Sequence, residues 1–390
     1  MPEWPDGEII SPASAARRWH ILQECSGACG DLGTFIPHVI GAITVAGLAS
    51  AGVLFGFGVF LIGSGLFYGL PLPVQPMKAV SAVILTNGLR PGEIAAAGLL
   101  MGALLFALGV TGAIGRVARF IPQSVSAGLQ LGLGILMGVL GIGLVLKTPW
   151  LGFGAFALLL MLMRIPRCPA APLMLVMATL VGWSAAEVTF PDGLRFASSL
   201  PKLVIPSWGD VWRSIELAVI PQLPLTLTNA VIVTASLCRD MFPADAARAS
   251  ERRLALSSGV ANLALAPFGA MPMCHGAGGL QAQYRFGART GLAPMLFGGV
   301  LLVIGLGFAE NAGQLFAVIP IGAVGALLII AGTDLALSRR LFDGRPSCWP
   351  VIGVTALLTG VANPAVGLAG GWLAELCRAA IVRTIARRFS

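Results

Sequence analysis

Pro71-Leu72-Pro73-Val74-Gln75-Pro76-Met77-Lys78 and, some two hundred residues later, Gly269-Ala270-Met271-Pro272-Met273-Cys274-His275-Gly276-Ala277-Gly278-Gly279 are the two stretches that decide the fold. Each opens a hydrophobic segment too short to cross a bilayer. Val74–Asn87 and Cys274–Arg285 rise only about 18 to 21 Å at ~1.5 Å per residue, against a hydrocarbon core of ~30 Å. Proline forbids regular helix ahead of each segment, and glycine lets a ligand come close to the backbone. Both segments therefore read as half-helices that begin partway through the membrane.

Working outward, the apolar runs between turn signals give fourteen segments, beginning near residues 31, 51, 74, 92, 121, 150, 169, 215, 254, 274, 291, 315, 348 and 364. Slid against itself by about 198 residues, the chain superposes on its own landmarks: Pro73 on Pro272, Ile121-Pro122 on Ile319-Pro320, and Trp150 on Trp349. A slightly smaller shift brings Gly30-Asp31-Leu32 onto Pro221-Gln222-Leu223. The two short segments fall third in each repeat of seven. An odd number of crossings per repeat turns the second repeat upside down relative to the first. With the N-terminus inside, 19 of the 25 Lys and Arg residues fall on the cytoplasmic side, and only Arg90, Lys147, Arg195, Lys202 and Arg213 fall outside.

Composition agrees with a membrane chain. Hydrophobic residues make up 56% and charged residues 11% of the 390, whereas soluble domains carry about 25% charged residues. Mean hydropathy is +0.87. The net charge of +8 is dispersed singly and in pairs between apolar runs, which excludes a nucleic-acid face and marks topology determinants. The seven cysteines have neither metal-ligand nor disulfide spacing and are expected to be free thiols. Residues 1–23 lack the basic start and short apolar core of a cleavable signal and read as a cytoplasmic tail. The stretch from about Glu187 to Glu216 reads as an exterior linker, with Trp208 and Trp212 at the interface.

Matching broken helices in inverted repeats point to a transporter's binding site, because freed amides and the helix dipole make each N-terminus an anion site. Two such termini suit one small dianion. Lys78 is an ammonium in an apolar segment and reads as a substrate ligand or a partner of Asp31, against simple snorkelling. Asp31 reads equally as the N-cap of the first helix or as a proton-coupling carboxylate. Gln222, Thr226, Thr228 and Asn229 are too clustered for a lipid-facing helix. His275, at the mouth of a half-helix, reads as a site residue, whereas His38 reads as an interior histidine and Asp334 as a salt-bridge partner of Arg339-Arg340. No P-loop, HExxH pair or serine-nucleophile elbow is present, so neither an enzyme nor an ATP-driven pump is expected.

Four stretches carry a resemblance: Gly30-Asp31-Leu32-Gly33-Thr34-Phe35-Ile36-Pro37, Pro73-Val74-Gln75-Pro76-Met77-Lys78, Pro221-Gln222-Leu223-Pro224-Leu225-Thr226 with Asn229, and Cys274-His275-Gly276-Ala277-Gly278-Gly279 with Gln283-Tyr284-Arg285-Phe286-Gly287. In these the chain resembles the molybdate transporter family, a branch of the sulfate permease superfamily. The resemblance implies an all-α membrane protein of fourteen transmembrane segments in seven-plus-seven inverted repeats, with the core and gate domains of uracil permease. Residues 24–115 and 215–310 would form the core, 116–190 and 311–390 the gate, and 191–214 the linker. It implies a substrate site made of Asp31, Thr34, Gln75, Lys78, Gln222, Asn229 and the amides of His275, Gly276, Ala277 and Gly278. The expected partners are molybdate or a similar oxyanion, a coupling proton, membrane lipid and a second copy of the chain, with no cofactor, metal or nucleic acid. The expected location is the cytoplasmic membrane, with both termini inside. A sulfate transporter on the same scaffold is the nearest alternative, followed by a nucleobase permease and an anion channel.

Overall fold

The computed structural model describes residues 12–389 apart from 45, 120–121, 166–167, 169, 189–195, 197, 310–317, 338–340 and 342–345. In chain order the elements are α1 (Pro12–Gly30), α2 (Leu32–Thr44), α3 (Ser50–Tyr68), β1 (Val74–Pro76), α4 (Lys78–Asn87), α5 (Pro91–Thr111), α6 (Ile114–Arg119), α7 (Gln123–Val145), α8 (Pro149–Met163) and α9 (Ala170–Ser184). The second repeat runs through α10 (Trp208–Met241), α11 (Glu251–Leu265), β2 (Met273–His275), α12 (Ala277–Arg285), α13 (Leu292–Gly307), α14 (Ile321–Ala336), α15 (Trp349–Val361) and α16 (Pro364–Phe389). Five of these helices, α3, α5, α7, α10 and the Pro364–Thr384 part of α16, are long and apolar enough to cross a membrane. Large side chains such as Phe67, Met161, Val303 and Val361 stand exposed on outer faces, as they do on surfaces solvated by lipid rather than water.

The two breaks meet. Backbone at membrane depth must find hydrogen-bond partners inside the protein, and here each break supplies them to the other. β1 and β2 pair antiparallel, with Val74 opposite His275, Gln75 opposite Cys274 and Pro76 opposite Met273, and the Met77 amide donates to the Pro272 carbonyl at 2.9 Å. The shift that carries Pro73 onto Pro272 also carries Gln75 onto Cys274, its own partner in the register. The pseudo-two-fold axis of the inverted repeat therefore passes through that pair. Left-handed glycines turn the chain into each break, Gly69 at φ 64° and Gly269 at φ 78°.

Helix packing repeats the same symmetry. α3 packs on α13 and α5 on α11, two pairs that the repeat exchanges, while α7 packs on α14, its own counterpart. Glycine makes the α7–α14 approach close. A Cβ at Gly141 would lie 2.8 Å from the Gly325 carbonyl oxygen, and one at Gly325 would lie 2.6 Å from that of Gly141. Small-residue contacts of this kind drive helix association where lipid removes the hydrophobic incentive.

Two boundaries differ from the sequence reading. The tail expected over residues 1–23 is helical from Pro12, as α1, and the eighth segment starts at Trp208 rather than near 215. Hydropathy marks where a helix becomes apolar; helix formation itself starts at caps, and Ser207 caps α10, its hydroxyl accepting from the Asp210 amide at 3.2 Å. Ile121, Arg339, Arg340 and the first part of the linker, residues 191–195 and 197, lie outside the described residues.

Candidate functional site

A cavity of about 670 Å³ lies where the strands cross, a size suited to a small ligand with its water. Of the residues expected at the site, Gln75, Lys78, Gln222, Asn229, His275, Gly276, Ala277 and Gly278 line it. Asp31 and Thr34 do not. Thr34 borders a smaller cavity of about 210 Å³ together with Cys29 and Asp334.

The two half-helix N-termini differ. At α4, the Gln222 side-chain oxygen accepts from the amides of Ala79 at 2.8 Å and Val80 at 3.2 Å, while its Nε2 donates to Thr226 Oγ1 at 2.8 Å. A neutral side chain from the other repeat thus already caps this terminus. Gln222 is positioned by irregular helix, because Pro221 and Pro224 interrupt α10 and the stretches Ile215–Val219 and Thr226–Val233 are wound as π-helix. Such wide turns are frequent at functional sites.

At α12 no such cap is present among the described residues. Its N-cap, Gly276, is extended at φ −124° and ψ 122°, with no side-chain cap. First-turn amides have no partner within their own helix, and Ala277 and Gly278, in that first turn, line the cavity. Beside them, the Gln75 Nε2 donates to Asp31 Oδ1. A Cβ on Gly276 would run into Gln75 Oε1, and one on Gly279 would lie 2.5 Å from Asp31 Oδ1. Gln75 is therefore a wedge held between the buried Asp31 carboxylate and the glycine turn. Asp31 occupies the N-cap position of α2, its carbonyl accepting from the Thr34 and Phe35 amides at 3.0 Å each. Its carboxylate does not cap that helix; Oδ1 accepts from Gln75, and Oδ2 has no partner among the described residues.

Among the described residues that line the cavity, Lys78 is the one cation. Among the described residues it makes no ion pair, with Asp31 or with any other acid. Its charge reaches Asp31, His38, Cys274 and Asp334.

The histidine rings are structural. His275 Nδ1 lies 3.1 Å from the Pro73 carbonyl, which only accepts, so Nδ1 carries the proton and Nε2 accepts from Ser257 Oγ at 2.9 Å. The ring is fully buried between Phe60 and Tyr68, so His275 offers the cavity its backbone rather than its imidazole. His38 Nδ1 meets Ser81 Oγ at 2.8 Å and braces α2 against α4.

Sequence reasoning missed three residues here. Asn262 serves as a strand partner for the outer edge of β2, donating to the Met273 carbonyl at 2.6 Å and accepting from its amide at 2.9 Å. Gln130, on α7, and Asp334, on α14, stand on the cavity wall. The expected partners of Asp334, Arg339 and Arg340, lie outside the described residues. A lone polar residue in an apolar run was the available signal at Gln130. All seven cysteines are free.

A family profile described as "Molybdate transporter of MFS superfamily" matches residues 23–137 and 215–335. These are corresponding parts of the two repeats, and they contain every cavity-lining residue except Leu337. The chain is 32% identical over 402 residues to Molybdate transporter 2 of Arabidopsis thaliana, covering 90% of this chain and 86% of that one. It is 30% identical over 483 residues to Molybdate transporter 1 of Chlamydomonas reinhardtii, covering 92% and 91%. Among solved structures, the transmembrane domain of a cyanobacterium bicarbonate transporter, BicA, superposes with a TM-score of 0.67 at 15% identity, over 89% of this chain and 97% of that one. The murine Slc26a9 anion transporter in its inward-facing state gives 0.67 at 13% identity, over 98% and 74%. At these identities the likeness is one of fold.

Proposed function

The chain belongs to the molybdate transporter family, and from that premise we propose that it carries molybdate across the cytoplasmic membrane as a secondary transporter. The observation that carries this reading is the cavity itself: a lysine without an ion pair among the described residues and a helix N-terminus without a side-chain cap line one space of about 670 Å³ at the crossing of two broken segments. The amides of Ala277 and Gly278 and the Lys78 ammonium offer hydrogen bonds and charge to an oxyanion, each helix-terminus contribution being about 0.3 to 2 kcal/mol. Gln222 holds the α4 terminus, and with it Lys78, in place. The wedge of Asp31 and Gln75 fixes the glycine turn from behind, so the contribution of Asp31 to the site is indirect.

In this reading residues 24–115 and 215–310 form a core that carries the ion, and 116–190 and 311–390 a gate against which it moves, alternating access between the two sides. Fourteen crossings with both termini cytoplasmic accompany it. A coupling proton and a homodimer belong to the same proposal. Sulfate is the competing substrate, since both ions are tetrahedral dianions. Uptake by the purified chain in liposomes, with molybdate and sulfate in competition under imposed proton gradients, tests the whole reading. Accumulation of molybdate that sulfate displaces only weakly is expected; sulfate uptake indifferent to molybdate, or ohmic leak of both, overturns it.

A further inference from the structure

Between Ser126 and Lys147, α7 carries one side chain with an amide, hydroxyl or charge, Gln130. It is 1% exposed and lines the cavity from the α7 side, yet its amide makes no hydrogen bond among the described residues, and its Oε1 is buried without a partner. A buried amide left unpaired destabilises a fold, and an apolar residue of the same size would remove that cost. Every other buried amide facing this cavity is engaged: Gln75 with Asp31, and Gln222 with the α4 terminus and Thr226. Of the buried amides that line it, Gln130 is the one without a partner among the described residues, and it borders the space where the ion is proposed to sit.

We propose that Gln130 is a ligand of the transported oxyanion, donating its Nε2–H to an oxygen that Lys78 and the α12 amides leave free, and that it discriminates among oxyanions by size. This rests on the oxyanion reading above. Lys78 and the α12 amides both belong to the core in the proposed division, and a tetrahedral ion held between them keeps an oxygen for the α7 wall. Metal–oxygen bonds are longer than sulfur–oxygen bonds, so the larger ion reaches across to α7 and the smaller one falls short. Because α7 belongs to the gate in the proposed division, this contact breaks whenever the core moves past it, and Gln130 registers an occupied site.

The test uses the purified full chain, with molybdate and sulfate affinities measured by calorimetry and thermal unfolding measured without ligand. Gln130→Met, which keeps the length and removes the amide, is expected to bind molybdate about tenfold more weakly, equivalent to ~1.4 kcal/mol, with sulfate affinity nearly unchanged. Its ligand-free unfolding temperature should equal or exceed that of the wild type. Wild-type molybdate affinity in Gln130→Met overturns the proposal, as does a fall in stability with equal loss for both ions, which marks a packing role. Gln130→Glu, of the same size, should expel the dianion by like charge, and wild-type binding there also overturns the proposal should Gln130→Met fail to fold. A wild-type chain that binds neither ion sinks the oxyanion reading itself, whereas a wild type that binds while both variants match it sinks only the role of Gln130.

Discussion

Gly276 and Gly278 lie two residues apart at the start of α12, and alanine at the two positions should have opposite consequences. At Gly276 the backbone is ordinary extended chain, so alanine adds no dihedral strain. Its Cβ, however, would occupy the position of Gln75 Oε1. Gln75 must then leave, and the bond it gives the buried Asp31 carboxylate goes with it. A hydrogen bond to a charged group contributes about 1.5 to 3 kcal/mol, so Gly276→Ala should lower stability by roughly that amount. At Gly278 a Cβ meets nothing within 4 Å and points into open cavity. There alanine should leave the fold intact and even favour the helix by about 0.5 to 1 kcal/mol. The methyl instead stands where an anion must come to reach the amides. Loss of one charge-assisted bond of about 1.5 to 3 kcal/mol weakens binding roughly 10- to 150-fold. Thermal unfolding and molybdate calorimetry on the two purified variants separate the effects. Wild-type molybdate affinity in Gly278→Ala, or wild-type stability in Gly276→Ala, would refute the geometry from which both expectations come.

Lys78→Met keeps the apolar stem and removes the one cation among the described residues that line the cavity, so molybdate affinity should fall by about a hundredfold or more while the protein stays folded; calorimetry on the folded variant checks it, and wild-type affinity would make the lysine structural. Asp31→Asn can still accept from Gln75 Nε2, so binding should persist, but a carboxylate near a dianion helps only when protonated; uptake across a pH series should therefore flatten in the variant, and an unchanged profile would leave Asp31 only its hold on Gln75. Gln222→Leu uncaps α4 and should lower stability by about 0.5 to 2 kcal/mol, read by denaturant unfolding; no change would mean that other groups satisfy Ala79 and Val80. Cysteines introduced at Ser199 and Ser390 should label from opposite sides of the membrane, and labelling from one side contradicts the fourteen-segment topology.

Much of this architecture was legible because proline and glycine punctuate a chain visibly. Pro73 and Pro272 mark both breaks at matching distances in the two repeats, and an inverted repeat leaves antiparallel pairing of those breaks as the symmetric solution. Site chemistry was less legible where it depends on partners distant in sequence. Gln222 read as one of a polar cluster; that its oxygen caps Ala79 and Val80 depends on a juxtaposition across 143 residues. His275 read as a ligand because of its position at a half-helix mouth, yet Ser257 and the Pro73 carbonyl hold its ring away from the cavity. Gln130, alone in the apolar stretch between Ser126 and Lys147, and Asn262, one of several polar residues of α11, carry no periodicity, and only the fold shows that one lines the cavity and the other props β2. The early start of α1 escaped notice because Arg17 and Arg18 resemble a tail, although charge does not prevent a helix.

The central claim is that one oxyanion sits between Lys78 and the amides of Ala277 and Gly278, and molybdenum allows this to be seen directly. Crystals of the chain grown with molybdate, measured on either side of the metal's absorption edge, should show a single anomalous peak in the cavity at the β1–β2 crossing, within hydrogen-bonding reach of those groups through the ion's oxygens. A peak elsewhere, or none in crystals of a protein saturated with molybdate in solution, would contradict the account.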